Sequence, residues 1–456
     1  MTEIDKPNIL FIVIDSLKAD KIYGENKTSK TPNIDKMIKH GVLFTKTVSP
    51  AASTGISLGS IFTGLFPFKT GLSSKNYEKI SHTVPNYISF LKNNNYSTYA
   101  TMSSVNNLLG ITTDFDLQID LNRHNNYLGL YDGLGEKLSK KFESNKLKDP
   151  WIFYIHLYDL HQPNIVPKKF DNEEFGITQY DRMLSSIDKW IGEFLDRIDI
   201  KKTLVVLTAD HGDYIRSIVR DGKEINLESG SFEKFMWELG NKFPPFFQSP
   251  KRIASKVFHS YRSKSRELKI KDLELTPYEK RTLGMSRAIT GTHLHDDILL
   301  VPLIFFGLGI TGKIIRQQVP NIDIFPTILE IIGFEYGHKT DGVSLVPLMK
   351  GETVEDQPCY IESMPTIKKE SDKIIGIRTS KFKYTRSKDN SSKIELYDLV
   401  ADPLEEKNIG TDKPEVVFEM EKILKNILKD SIETKTQMNP EKRKKVEEQL
   451  KKMGYI

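Results

Sequence analysis

The chain has 456 residues, with 66 Lys+Arg against 61 Asp+Glu. A net charge of +5 is too small to argue for a nucleic-acid surface, and 38% hydrophobic with 28% charged residues is ordinary globular usage rather than disorder. One cysteine, Cys359, excludes a disulfide framework, a cysteine-rich zinc module and any chemistry that needs a thiol near the motifs below.

Six apolar residues, 9–14, run straight into Asp15, the pattern of a strand buried on both faces. The run lacks the basic, long apolar and small-residue regions of a signal peptide, so the expected setting is cytoplasmic. Pro32 opens a helix that Gly41 closes, with Ile34, Met37 and Ile38 on one face. A short helix is expected from Ser57, another over 84–94, and strands over 97–102 and 151–157. His156, near the end of the last of these, reads as a histidine that is simply hydrogen-bonded in the core. Apolar residues from Tyr180 to Ile198 recur at helical spacing and predict one long amphipathic helix over 173–198. A buried strand over 203–207 again runs toward an aspartate, Asp210. The last apolar run, 298–310, is interrupted by Pro302, Gly307 and Gly309 and cannot span a bilayer, but it holds a strand over 299–306. Buried strands alternating with helices imply an α/β domain with a mostly parallel sheet covered on both faces.

From about residue 350 the texture changes. Short strands over 358–362, 374–379, 382–385 and 394–399 suggest a small antiparallel sheet, followed by helices over 413–432 and 441–452. The expected organisation is a large α/β domain over 1–350 and a smaller C-terminal α+β subdomain over 351–456. Between 214 and 290 lies an aromatic-rich insertion with 16 Lys+Arg and 9 Asp+Glu, net +7, including a basic amphipathic helix over 253–261. It reads as a lid, a membrane-surface contact, an arm for a homo-oligomer, or a structural insertion with a solvated basic face.

Several segments resemble the sulfatase family of the alkaline phosphatase superfamily, and the resemblance runs along nearly the whole chain. Asn8 and Ile9 leading to Asp15 resemble the family's opening strand. Thr31-Pro32-Asn33-Ile34-Asp35 with Gly41-Val42-Leu43-Phe44, and Thr63-Gly64 with Pro67, follow in the family's order. Thr208-Ala209-Asp210-His211-Gly212 resembles its second metal motif. Asp297 with Val301-Pro302-Leu303-Ile304, Asp323 with Phe325-Pro326-Thr327, Asp341-Gly342, and Leu396-Tyr397-Asp398 with Asp402-Pro403 resemble its C-terminal half. The implied fold is the alkaline-phosphatase-like sheet flanked by helices.

The family's nucleophile stands ten residues before the Gly of the Thr-Gly pair, in Cys-x-Pro-x-Arg or Ser-x-Pro-x-Arg. Ten before Gly64 is Thr54, with Ile56 and Leu58 in place of the Pro and Arg. Threonine cannot be converted to formylglycine, but a metal-activated hydroxyl serves as nucleophile in relatives of this superfamily. Ser53 is the competing hydroxyl. The resemblance makes Asp15, Asp210, His211 and Thr54 the metal ligands. Ser16 stands where many sulfatases have a second Asp, which leans toward zinc or manganese, with calcium or magnesium as alternatives. His161 and His293 become candidates for substrate contact and for protonating the leaving group, with His295 the alternative to His293. Asn106, or its neighbour Asn107, would contact the anion.

The implied activity is metal-dependent hydrolysis of a sulfate or phosphate ester through a covalent threonine intermediate. Phosphate chemistry is favoured, because a sulfated threonine lacks the elimination route of an aldehyde hydrate. The alternatives are transfer of a phospho-headgroup to a lipid or glycan, and a non-catalytic binding protein on this fold. The expected partner is a small-molecule, lipid or glycan anionic ester, with no nucleic acid.

Overall fold

A computed structural model describes the chain except residues 1–5, 74–75, 78–79, 81–83, 104–109, 112–113, 124–125, 128, 144–145, 162–164, 215–216, 221, 228–270, 272, 285–292, 365–372, 391 and 430–456. The chain opens with β1 (Asn8–Ile14), α1 (Pro32–His40), β2 (Val42–Val48) and α2 (Thr54–Thr63). It continues through α3 (Tyr87–Asn93), β3 (Ser97–Met102), β4 (Leu117–Asp120), α4 (Leu134–Phe142), β5 (Trp151–Leu157), α5 (Gln179–Leu195) and β6 (Thr203–Thr208). It returns with the short helix α6 (Asp296–Leu299), β7 (Leu300–Gly307), β8 (Lys313–Pro320) and α7 (Ile324–Ile331). The C-terminal part forms β9 (Cys359–Glu362), β10 (Ile374–Arg378), β11 (Phe382–Ser387), β12 (Ile394–Asp398) and α8 (Pro414–Leu428).

The main sheet has the order β8-β2-β7-β6-β1-β5-β3-β4. Every neighbouring pair is parallel except the two that involve β7, which is antiparallel to both β6 and β2. The sheet is therefore mostly parallel, as expected, and the apolar runs at its centre, β1, β5 and β6, are buried along almost their whole length. This arrangement puts the carboxyl ends of β1, β2, β5 and β6 on one edge. Because β7 runs the other way, the residues that precede it reach the same edge. Backbone bonds hold that edge together: the Ser49 amide donates to the Leu299 carbonyl at 2.8 Å and the Gly212 amide to the Ile298 carbonyl at 2.6 Å. Any side chain at Gly212 would run into the Asp297 carbonyl, so this close approach requires glycine.

The helix expected over 173–198 is shorter. Gly176, at φ 142°, breaks the chain after a single turn over Glu173–Phe175. The helix then starts afresh behind a capping box in which Thr178 and Asp181 satisfy each other's backbone amides. Asp188 on this helix caps its neighbour α1, accepting from the Asn33 amide at 3.2 Å and the Ile34 amide at 2.8 Å. The helix expected from Ser57 begins one turn earlier, at Thr54. Among the described residues no helix is long and apolar enough to cross a membrane.

The C-terminal strands form an antiparallel sheet in the order β9-β10-β11-β12, as expected, with Met420 and Leu424 of α8 packed on Ile377, Tyr384 and Leu396. The helix expected over 441–452 lies outside the described residues. The edge strand β9 reaches the main domain: the Glu362 amide donates to the Pro50 carbonyl at 2.8 Å, four residues ahead of Thr54. A buried ionic cluster adds a second tie. Arg378 grips Asp296 with two hydrogen bonds, at 2.9 and 2.6 Å, Lys383 joins at 3.0 Å, and Lys383 also pairs with Glu405. Burial alone would raise the Asp296 carboxyl, but Arg378 and Lys383 hold it well below the usual carboxylate range. Removing one partner strands charge in the core, so Arg378→Ala should cost about 3–5 kcal/mol. Urea denaturation checks this, and a loss under about 1 kcal/mol would show that the cluster does not anchor the α6 turn.

The contacts divide the chain into one unit of 1–213 with 286–456 and a second of 214–285. Within the second, a hairpin of Ser217–Arg220 and Lys223–Asn226 and a helix over Pro277–Gly284 share a small apolar cluster of Ile218, Leu227 and Leu283. The basic helix expected over 253–261 and most of the net +7 stretch lie outside the described residues.

Candidate functional site

Three strand ends and one helix start supply the site. β1 delivers Asp15, whose amide donates to the Leu157 carbonyl of β5 at 2.9 Å. β6 delivers Asp210 and His211, two and three residues past its end. β2 leads through Ser49 and Pro50 to Thr54, the first residue of α2. Two hydroxyls lock this turn to the neighbouring strand end, since Ser49 and Ser57 both donate to the Asp210 carbonyl at 2.6 Å. The Asn321 amide holds Ser57 in turn, at 2.9 Å. The start of α2 and the Asp210 loop are thus one rigid piece. Ligand sites in open α/β sheets form at such carboxyl edges.

The Thr54 hydroxyl lies 3.5 Å from Asp15 Oδ2 and 3.4 Å from His211 Nε2. His211 Nδ1 is 2.7 Å from the Gly212 carbonyl, which can only accept, so Nδ1 carries the hydrogen and Nε2 offers a lone pair in the neutral ring. One oxygen of each carboxylate is already used: Asp15 Oδ1 accepts from Ser16 at 2.6 Å and Asp210 Oδ1 from the His211 amide at 2.9 Å. The Ser16 backbone bends into the left-handed region at φ 65°, and its carbonyl accepts from the Tyr180 hydroxyl at 2.8 Å. The second oxygens face inward. Asp210 Oδ2 lies 3.6 Å from His211 Nε2 and has no hydrogen-bond partner among the described residues, although Asp210 is fully buried.

These separations are too long for strong hydrogen bonds. Donors bound about 2.0–2.2 Å from one ion stand roughly 3–4 Å apart, which is the spacing here. Two carboxylate oxygens, an imidazole nitrogen and a hydroxyl converging in a buried space, one of them orphaned, fit a divalent cation. The same crowding governs proton affinity. Burial, then the facing Asp210, pushes the Asp15 carboxyl from 3.8 up to about 7. Burial opposes the charge on His211, but Asp210, Asp15 and the Gly212 carbonyl outweigh it and raise its pKa from 6.5 to about 8.

Both raised values mean that the metal-stripped native state holds protons the unfolded chain has released. The Asp15 contribution to stability is complete below 3.8 and is lost as pH rises through about 7. That of His211 is complete below 6.5 and lost as pH rises through about 8. His156, depressed by burial from 6.5 to about 4, acts in the opposite sense and only between those two values. Chelated protein should therefore melt at progressively lower temperature from about pH 6.5 to 8.5, and an added divalent cation should remove the decline. Equal melting temperatures across that range in chelator would show that these groups do not share one buried field.

The structure brings together Asp15, Thr54, Asp210 and His211. Ser53 occupies the N-cap position of α2 without a side-chain capping bond; the hydroxyl that meets Asp15 and His211 is that of Thr54. His161 sits on the loop after β5, with its amide bonded to the Tyr158 carbonyl at 2.9 Å. His293 and His295 stack at 5.9 Å ahead of β7, and His295 also meets the Tyr397 ring. Both loops are on the site edge of the sheet. Asn106 and Asn107 lie outside the described residues. The residue misjudged is His156. It is fully buried near the end of β5, yet neither ring nitrogen has a hydrogen-bond partner among the described residues. Its Nε2 lies 3.8 Å from Asp210 Oδ2 and 4.0 Å from Asp15 Oδ2. A further pair, whose lysine the sequence did not mark, ties α6 to the loop after β1: Lys18 Nζ meets Asp297 Oδ1 at 2.6 Å.

A family model described as Sulfatase matches residues 7–334, and one described as N-sulphoglucosamine sulphohydrolase, C-terminal, matches 292–439. Arylsulfatase K of Mus musculus is 22% identical over 92% of this chain and 79% of its own. The delta 4,5-hexuronate-2-O-sulfatase of Bacteroides thetaiotaomicron is 24% identical over 90% of this chain and 85% of its own. The solved phosphonate monoester hydrolase of Agrobacterium radiobacter superposes with a TM-score of 0.66 at 16% identity, covering 93% of this chain and 96% of that one.

Proposed function

Because the chain belongs to the sulfatase family, whose members are metal-dependent ester hydrolases, we propose that it cleaves the sulfate ester of a sugar with Thr54 as the attacking group and Asp15, Asp210 and His211 holding a divalent ion. The observation that carries this reading is the Thr54 hydroxyl at the start of α2, 3.5 Å from Asp15 Oδ2 and 3.4 Å from His211 Nε2. The sugar class rests on the similarity to a hexuronate 2-O-sulfatase.

When bound, a divalent ion neutralises charge and lowers the pKa of a hydroxyl beside it. Thr54 is half-buried, so its proton can leave to solvent. Its Oγ1 forms a bond to sulfur as the bond from sulfur to the sugar oxygen breaks. The amides of the first turn of α2 favour the anion that approaches there. His293 or His161, on the loops flanking this edge, gives a proton to the departing oxygen. Water then attacks the sulfur, releasing sulfate and restoring the Thr54 hydroxyl.

One feature favours a second reading, phosphate esters. Threonine has no aldehyde hydrate through which to expel sulfate, so the second step must break a sulfur–oxygen bond by direct attack of water. Parallel assays with nitrophenyl sulfate, nitrophenyl phosphate, bis-nitrophenyl phosphate and an unsaturated 2-O-sulfated uronate, across several divalent metals, divide the readings. Metal-dependent sulfate release is the expected result. Turnover of phosphate esters alone would establish the second reading, and turnover of none, with metal bound, would leave a binding protein.

A further inference from the structure

His156 occupies a position that neither its strand nor its neighbours explain. It shares one face of β5 with Tyr154, and its ring stacks on that of Tyr158, the residue just past the strand, at 4.3 Å between centroids. In register it pairs with Val13 of β1, two residues before Asp15, so the central ladder fixes where its side chain emerges. A neutral imidazole presents one donor and one lone pair, and a fully buried one normally satisfies both. Here neither nitrogen has a hydrogen-bond partner among the described residues, and the carboxylate oxygen nearest to Nε2, Asp210 Oδ2, has none either.

The distances exclude a direct bond as the answer, since 3.8 and 4.0 Å from Nε2 to the two carboxylates are beyond hydrogen-bonding range. They are instead the spacing of ligands around one cation. The donor atoms of Asp15, His156 and Asp210 all lie within 4.8 Å of one another. The sheet presents His156 from β5, Asp15 from β1 and Asp210 from β6, three adjacent strands, which is a rigid base on which to set an ion.

We propose that His156 is a ligand of the ion held by Asp15 and Asp210, and that with His211 it gives the site two imidazoles and a preference for zinc over calcium. The proposal rests on the metal site of the reading above, not on the ester it cleaves. Calcium takes six to eight oxygen ligands, whereas imidazole suits zinc and its transition-metal neighbours. Ser16, where a further carboxylate would add oxygen ligands, instead spends its hydroxyl on Asp15 Oδ1.

The test reads the metal and not turnover. Full-length protein, stripped and reloaded with zinc alone, is examined by X-ray absorption at the zinc edge. Two imidazole ligands are expected; one would overturn the proposal. Zinc and calcium affinities are then measured for wild type and for His156→Gln, with the melting curve of each metal-free protein as the check on folding. The variant should lose roughly tenfold or more in zinc affinity while its calcium affinity changes less than about threefold. Its cobalt-loaded form should show an altered visible spectrum. Unchanged zinc affinity and cobalt spectrum in a folded variant would overturn the assignment. Should the variant fail to fold, the imidazole count in wild type still decides. Because no ester is involved, a protein that binds zinc through His156 but cleaves no sulfate would refute the proposed activity and leave this inference standing.

Discussion

Thr54→Ala should reduce ester turnover by roughly 10^4-fold or more, about 5.4 kcal/mol of transition-state stabilisation, while the purified variant still binds its metal. The two halves of this result follow from different parts of the site. The substitution removes the only protein atom proposed to bond to sulfur. It leaves Asp15 Oδ2, Asp210 Oδ2 and His211 Nε2 untouched, and the rest of the α2 turn is pinned by Ser57 on the Asp210 carbonyl at 2.6 Å. Ser53 supplies a second hydroxyl one residue away, but the contacts to Asp15 and His211 belong to Thr54. A variant within about tenfold of wild type would transfer the role to Ser53 or remove the covalent step altogether. Metal content and steady-state rates on the same preparation separate loss of the nucleophile from loss of the ion.

Asp210→Asn should weaken metal binding and activity together, each by roughly 10^2-fold or more, with excess metal restoring part of the rate. The replacement has the same shape. Its amide oxygen can still accept from the His211 amide, as Asp210 Oδ1 does at 2.9 Å. That places the NH2 group where Oδ2 faces His156 and His211, and turns two hydrogens toward the point at which a cation would sit. Charge falls by one in a buried space where Asp15 is the remaining carboxylate, so electrostatics and geometry act in the same direction. Unchanged metal affinity, measured by titration of the stripped protein, would remove Asp210 from the ligand set and with it the reason for its orphaned oxygen.

The parts of this molecule legible in sequence are those written as continuous patterns. The apolar runs of β1, β5 and β6 announce buried strands, and an aspartate following each of β1 and β6 announces an edge with work to do. Direction is not written in such a run, so nothing in 299–306 disclosed that β7 lies antiparallel between β6 and β2. The apolar repeat from Tyr180 to Ile198 marked the helix but not its start, because no repeat precedes Tyr180, and the break at Gly176 falls inside the expected range of 173–198. Thr54 was marked as a candidate by the family resemblance, which places it ten residues before Gly64 with Ile56 and Leu58 where the family has Pro and Arg. His156 was missed for the opposite reason. Every residue of β5 is buried, so a polar side chain facing the site and one satisfied in the core look the same along the sequence. The available signal was position: His156 is the second-to-last residue of a strand that pairs with β1, and the ends of adjacent parallel strands lie together. The ties from β9 and from Arg378 and Lys383 were also unreadable, since they depend on which sheet edge meets which loop.

In the proposed mechanism an unmodified threonine carries the ester group in a covalent intermediate. Its most direct measurement is acid-quenched mass mapping of the peptide containing Thr54, taken from resting enzyme and from enzyme mixed with nitrophenyl sulfate in the presence of its metal. An intact threonine is expected at rest and, during turnover, one added sulfo (SO3) group on Thr54 that disappears when substrate is exhausted. Turnover without any adduct on Thr54, or with the adduct on Ser53, would contradict it.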